Sequence, residues 1–261
     1  MTAAPQRPAV ALIHGWGVGQ PAWQPLCQAL ALQCEVYLVN LPGYGTEPAR
    51  ADSFADTAQR LMDALPVGIA LCGWSLGAML ALQAARQAAH RLGGLVLIGA
   101  TPSFTQRAGW QHAQPAMLLE AFAQAVDHSP ASALQRFVAL SNQGDVQAKA
   151  ANRTLWQALA AQPLAQHEAL LQGLAWLRDV DLRDEVEAVA LPTLLIHGDQ
   201  DPLMPLAAAQ WLQGRLKHSQ LEIIHGAAHA AFLHTPERVA KLIGDYCHAF
   251  APHQAARARI V

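Results

Sequence analysis

The sequence predicts an α/β fold in which a mostly parallel sheet is flanked by helices and carries one all-helical insertion. Three observations predict it. Short apolar runs rich in β-branched residues recur along the chain, segments of helical period lie between them, and this alternation stops once, between residues 102 and 180.

The runs Val10 to His14, Val36 to Asn40, Ile69 to Gly73, Gly94 to Ile98, Thr193 to His197 and Leu221 to Ile224 each read as a buried strand. Between them, Trp23 to Leu32, Phe54 to Leu65, Leu76 to His90 and Leu206 to Leu216 have helical composition, and Glu237 to Phe250 closes the chain. Strands separated by helices pair in parallel, since a parallel crossover needs the length of a helix. From Pro102 to Val180, Ala, Leu and Gln dominate, while Pro130, Asn142 to Gly144 and Pro163 punctuate several helices. An insertion placed after a strand is expected over the carboxyl ends of the sheet, where open α/β folds bind ligands, and it reads as a lid. Residues 1–101 and 181–261 are therefore expected to form the core, with 102–180 as the lid of the same folding unit. The tail from His253 to Val261 is expected to fray.

With 261 residues, 52% of them hydrophobic and 14% charged, the chain has the means to bury a large core, which excludes a disordered protein. A net charge of -2 excludes a global attraction to nucleic acid or anionic membrane, and leaves room only for a local basic patch. The start has no apolar run of signal-peptide length before Gly15, and Gly and Pro interrupt the later runs short of membrane-spanning length, so a cytoplasmic protein is expected. Cys27, Cys34, Cys72 and Cys247 form no CxxC pair and are expected to be buried free thiols.

Gly73-Trp74-Ser75-Leu76-Gly77 lies between a predicted strand and a predicted helix. A strand and helix joined by so tight a turn leave almost no room for side chains two residues before and after the serine, and glycine stands at both places. Such a turn raises the Ser75 hydroxyl above the sheet and aims a helix amino terminus at it, so the Leu76 amide is placed to stabilise an oxyanion.

A serine hydroxyl needs a base, and a base needs an orienting acid. Among twelve histidines, His229 lies in His225-Gly226-Ala227-Ala228-His229-Ala230-Ala231-Phe232, a small-residue loop between the last strand and the final helix. His225 competes, but it abuts the strand end and reads as a packed or capping residue. A zinc site on these two histidines is not expected, because Gly226 separates them and no acid or cysteine is near. The strand Thr193 to His197 runs into Gly198-Asp199-Gln200-Asp201-Pro202. Asp201, further into the turn, is the preferred acid, and Asp199 is expected to bond turn amides. His14-Gly15-Trp16-Gly17 follows the first strand, and its glycines let backbone amides approach a carbonyl, so Trp16 is the second candidate oxyanion donor. The indoles of Trp16 and Trp74 read equally as acyl-pocket walls and as core aromatics.

HGWG, LPGYG, GWSLG, GDQDPLMP and AAHAAF, in this order, resemble the α/β-hydrolase superfamily over nearly the whole chain. Within it, HGWG with GWSLG, the segment Gln135 to Ser141, the run Val180 to Arg183 and the AAHA loop look most like the pimeloyl-acyl-carrier-protein methyl ester esterases of biotin synthesis, the BioH family. The resemblance implies a triad of Ser75, Asp201 and His229 and oxyanion amides on Trp16 and Leu76. It further implies substrate contacts from Phe137, Val138, Ala139, Leu140 and Ser141, and docking of an acyl carrier protein on Arg136, Lys149 and Arg153. The chain departs at Ser132, which stands in place of a further lid arginine and bears on the strength of carrier binding, and at Asn40, which replaces an aspartate before LPGYG and bears on loop packing more than on chemistry. Read without the family, Lys149 and Arg153 share a helical face that is either solvated or a docking patch, and Phe137 and Leu140 read as lid core or substrate contacts.

The expected function is a serine carboxylesterase without cofactor or metal that demethylates a pimeloyl-carrier ester, its partners being that carrier and an ester substrate. The alternatives are a general short-chain carboxylesterase, a carbon–carbon bond hydrolase on the same fold, or a catalytically silent ligand receptor.

Overall fold

A computed structural model describes residues 7–257. Its six strands are β1 (Ala9–Ile13), β2 (Glu35–Val39), β3 (Ile69–Trp74), β4 (Leu92–Ile98), β5 (Thr193–Gly198) and β6 (Ser219–Ile224). All pair in parallel, in the order β2-β1-β3-β4-β5-β6. The six expected strands are thus present. β4 and β6 each start two residues earlier than their apolar runs, because the ladder already pairs Leu92 with Ile69 and Ser219 with Thr193.

The helices around the sheet are α1 (Gln24–Leu30), α2 (Phe54–Asp63) and α3 (Leu76–Ala88), followed within the insertion by α4 (Ala116–His128), α5 (Pro130–Ser141), α6 (Ala148–Ala160) and α7 (His167–Asp179). After β5 come α8 (Leu206–Arg215), the single turn α9 (Ala231–His234) and α10 (Pro236–Arg257). α2 begins at the expected Phe54, capped by the Ser53 hydroxyl, which accepts from the Asp56 amide at 3.1 Å. α10 is helical through Arg257, beyond the point where fraying was expected, and residues 258–261 lie outside the described chain.

The insertion is not helical throughout. Residues 102–115 form an irregular segment with three isolated bridges, Ser103 to Asp181, Thr105 to Gln114 and Arg107 to Trp110. Hydroxyls explain the departure from helix: Thr101 donates to the Ser103 carbonyl at 2.8 Å and Thr105 to the Arg178 carbonyl at 2.8 Å, so side chains take bonds a helix would have supplied. Trp110 is buried there and donates its indole N–H to the Ser103 carbonyl at 2.8 Å.

Two apolar layers hold the sheet. One joins α2 and α3 to Ile13, Leu71 and Leu95, and the other joins α1 and α10 to Leu12, Cys72 and Ile196. Insertion residues belong to both: Leu134, Phe137 and Leu174 to the first, Val138 and Leu155 to the second. The four cysteines are free, and Cys34, Cys72 and Cys247 are buried as expected, but Cys27 is only half-buried, packed at the margin of an apolar layer.

Strand order positions the site. β1 and β3 are neighbours although the chain leaves β1 toward β2, so the sheet has its switch point between them. Ile13 is in register with Gly73, which brings the HGWG loop and the GWSLG turn out of the sheet side by side.

Candidate active site

Ser75 sits at the corner between β3 and α3 with φ 58° and ψ -120°, and among the described residues it alone, apart from glycines, has positive φ. Such a conformation costs about 1–3 kcal/mol and persists only where its surroundings enforce it. Those surroundings are backbone. A Cβ on Gly73 would strike the Gly77 carbonyl, and one on Gly77 the carbonyls of Ile13 and His14. Both glycines therefore let α3 start against the strand. Ser75 is 4% exposed, and its hydroxyl bonds to no other described residue.

His229 and Asp201 meet, as the chain order implied. His229 Nδ1 donates to Asp201 Oδ2 at 2.7 Å, and both side chains are fully buried. Because Nδ1 carries the proton, the neutral ring keeps a lone pair on Nε2, and that atom is buried without a partner. Asp201 is itself held, its Oδ1 accepting the Leu203 and Met204 amides at 2.9 Å each. Burial pushes its pKa up, but the charge and hydrogen bond of His229, the charge of His197 and the Met204 amide outweigh this and hold the carboxyl below the ordinary range. Asp199 accepts from His225 Nδ1 and from the Gly226 amide, at 2.8 Å each. It therefore holds the near end of the histidine loop, and His225 is its partner rather than a base.

The candidate oxyanion amides face no acceptor in turns or loops: neither Trp16 nor Leu76 donates in any of these hydrogen bonds. Leu76 is the first residue of α3, where a helix has no acceptor of its own to offer. The Trp16 indole is buried and donates to the Leu170 carbonyl at 2.9 Å, with Phe137 edge-on at 4.9 Å and Phe122 at 6.4 Å between ring centres. The Trp74 indole donates to the His229 carbonyl at 2.9 Å, and its ring lies 5.5 Å from the imidazole. Both indoles are thus core aromatics, and that of Trp74 also packs beside the His229 imidazole.

The five residues from Phe137 to Ser141 do not gather on one surface. They form the end of α5 and are spread around its axis: Phe137 packs on Trp16, Val138 joins the opposite apolar layer, Ala139 is exposed and Leu140 half-buried. Ser141 is buried, its hydroxyl donating back to the Phe137 carbonyl at 2.8 Å while its own carbonyl accepts the His229 amide at 3.0 Å. Arg136, Lys149 and Arg153 are exposed on α5 and α6, and none takes part in an ion pair among the described residues.

Sequence reasoning missed several supports. His14 Nε2 accepts the Leu41 amide at 3.1 Å, so its Nδ1 carries the proton and donates to the Gly15 carbonyl at 2.8 Å. The Tyr44 hydroxyl accepts the Gly17 amide at 2.9 Å. HGWG and LPGYG thus brace one another. Gly173 lets α7 close on the site, since a Cβ there would lie 2.6 Å from the Trp16 ring. Only the adjacency of HGWG and LPGYG to strand ends hinted at these contacts.

Burial lowers the His14 pKa from 6.5 to about 4, against a smaller upward pull from the Gly15 carbonyl. Between those values the unfolded chain binds a proton that the folded chain refuses, so stability falls as pH drops from 6.5 toward 4, by roughly 3 kcal/mol from this group. Burial lowers the His197 pKa too, with the same sign. Denaturant unfolding at pH 7 and pH 4.5 is expected to show this loss, and His14→Gln to flatten it. An unchanged acid slope in the variant would remove His14 from the account.

A strained serine between a parallel strand and a helix, a histidine after the last strand and a buried aspartate after the penultimate one define an α/β hydrolase. Residues 8–236 match the family model described as alpha/beta hydrolase fold. The chain is 40% identical over 244 residues to a pimeloyl-[acyl-carrier protein] methyl ester esterase from Aromatoleum aromaticum, covering 92% of this chain and 98% of that one. A protein of the same name from Aeromonas salmonicida is 34% identical, over 91% and 94% of the two chains. The chain belongs to this esterase family within the α/β hydrolases, and it is an ester hydrolase. Among solved structures, an esterase from Exiguobacterium antarcticum superposes with a TM-score of 0.82 at 23% identity, over 94% of this chain and 93% of that one, and so shares the fold.

Proposed function

We propose that the chain removes the methyl group of pimeloyl-acyl-carrier-protein methyl ester, with Ser75 as nucleophile, His229 as base and Asp201 as its orienting acid. One observation carries the triad: Asp201 fixes the proton on Nδ1 of a fully buried imidazole whose Nε2 has no partner, beside the strained turn that bears Ser75. His229 Nε2 takes the Ser75 proton as Oγ attacks the ester carbonyl. The Trp16 and Leu76 amides hold the resulting oxyanion. The imidazolium then protonates the leaving methoxide, methanol departs, and water attacks the acyl-serine by the same route to release the acid and restore Ser75. No metal or organic cofactor enters these steps.

The carrier-linked substrate rests on relatives bearing that name at 33–40% identity. Residues 102–180 serve as the lid over Ser75, with Phe137 and Phe122 walling the acyl chain through their contacts with Trp16. Arg136 lines a cavity of about 130 Å³ with Leu118, Phe122 and Ala133 at the α4–α5 seam, a place where an acyl chain would enter from outside. An acidic carrier docks on Arg136, Lys149 and Arg153, beside Trp156, which is 47% exposed three residues beyond Arg153 on the same helical face. The reaction is cytoplasmic, and no described helix is long and apolar enough to cross a membrane.

The test compares kcat/KM for the carrier-linked and free methyl esters of pimelate. The carrier-linked ester is expected to react faster, and changing Arg136, Lys149 and Arg153 together to Glu is expected to lower its kcat/KM by about tenfold or more while sparing the free ester. Equal rates on both esters in the unaltered protein would point instead to a general short-chain carboxylesterase.

A further inference from the structure

Asp145 has no part in the chemistry above, yet its carboxylate is fully buried. It lies in the corner between α5 and α6, and its Oδ1 accepts the Gln147 amide at 2.6 Å, an ordinary local turn bond. Its other bonds are not local. Oδ2 accepts the Ala228 amide at 3.0 Å, and Oδ1 accepts from His234 Nδ1 at 2.9 Å, across 83 and 89 residues of sequence. An aspartate needed only for the turn would face water, because a buried carboxylate is costly unless its oxygens are satisfied by donors.

The bonds converge on the backbone that carries His229. Ala228 precedes it, the His229 amide donates to the Ser141 carbonyl at 3.0 Å, and the Val146 amide donates to the Gly226 carbonyl at 3.0 Å. The α5–α6 corner thus grips the histidine loop at residues 226, 228 and 229, while His234 closes the far side of Asp145. This loop needs such a grip. It is Gly226, Ala227, Ala228, His229, Ala230 and Ala231, and side chains so small give little interlocking to hold an imidazole in one place.

We infer that Asp145, with His234, is a positioning residue pair that sets the base: it fixes the backbone of residues 228 and 229, so that His229 Nε2 stands where Ser75 needs it. The inference rests on the reading of His229 as base.

Asp145→Asn, Asp145→Ala, His234→Ala and His234→Asn are compared with the unaltered protein and with His229→Ala on a short p-nitrophenyl ester. Rates are counted per active serine by fluorophosphonate titration, so that unfolded protein drops out. Both Asp145 variants are expected to lower kcat per site by about 10–100-fold, the scale of a misplaced catalytic group, with KM within about twofold. His234→Ala is expected to lower it less, and His234→Asn, whose amide N–H takes the place of Nδ1–H, to restore it. Asp145→Ala, with the largest loss of packing, is the variant at risk of not folding, and Asp145→Asn and His234→Ala then decide the matter. An unchanged kcat per site in these variants, or a loss carried by KM alone, overturns the inference. If His229→Ala itself retains turnover, the reading of the base fails instead.

Discussion

Ser75→Ala is expected to lower kcat on every ester substrate by about 10⁶-fold, the scale lost when the nucleophile of a serine hydrolase is removed. The fold should survive, because the hydroxyl bonds to no other described residue and the turn is enforced by Gly73 and Gly77 rather than by the serine side chain. Circular dichroism and a thermal melt would check the fold, and hydrolysis of p-nitrophenyl acetate with covalent labelling by a fluorophosphonate would check the chemistry. An alanine variant that turns over normally would end the triad assignment and with it the proposed mechanism. If the unaltered protein takes up no label on Ser75, a silent ligand receptor on this fold becomes the better reading.

Asp201→Asn is expected to lower kcat by about 10⁴-fold with little change in KM, for a reason visible in the hydrogen bonds. Oδ1 faces two amide donors, Leu203 and Met204, so the asparagine oxygen must occupy that place and its NH2 must face His229 Nδ1. The imidazole then turns its proton to Nε2 and has no lone pair to offer Ser75. Steady-state kinetics on the same short ester reads the effect directly. A kcat within about tenfold of the unaltered protein would mean that tautomer control at residue 229 does not come from residue 201.

Legibility in the sequence follows how local each determinant is. The strained serine turn was readable because its demands fall on residues 73, 75 and 77, within one strand-to-helix corner. Depth in the turn separated Asp201, which meets His229, from Asp199, but the expected turn-amide bonds fall to Asp201, while Asp199 instead holds the histidine loop through Gly226 and His225. Helix phase limits the segment from Phe137 to Ser141: five consecutive residues point around the axis, so a motif that looks continuous in sequence is divided between the Trp16 face, the opposite core and solvent. The irregular segment 102–115 escaped notice because its hydroxyl bonds join residues that no periodicity marks.

From the order of its residues alone, this chain determined a parallel α/β sheet, a strained serine corner and the loops from which a histidine and an aspartate would come. Those are consequences of apolar period and of glycine where a Cβ has no room, and both act within a few neighbouring residues. Tertiary structure alone decided how the His229 imidazole is held: Ser141, Asp145 and Trp74 reach His229 and its neighbour from 83 to 155 residues away. It also decided that His14 and Tyr44 brace the first loop and that Gly173 admits α7 beside Trp16. A hydrogen bond between distant segments depends on where both backbones come to rest, and only the packed sheet and its insertion set that.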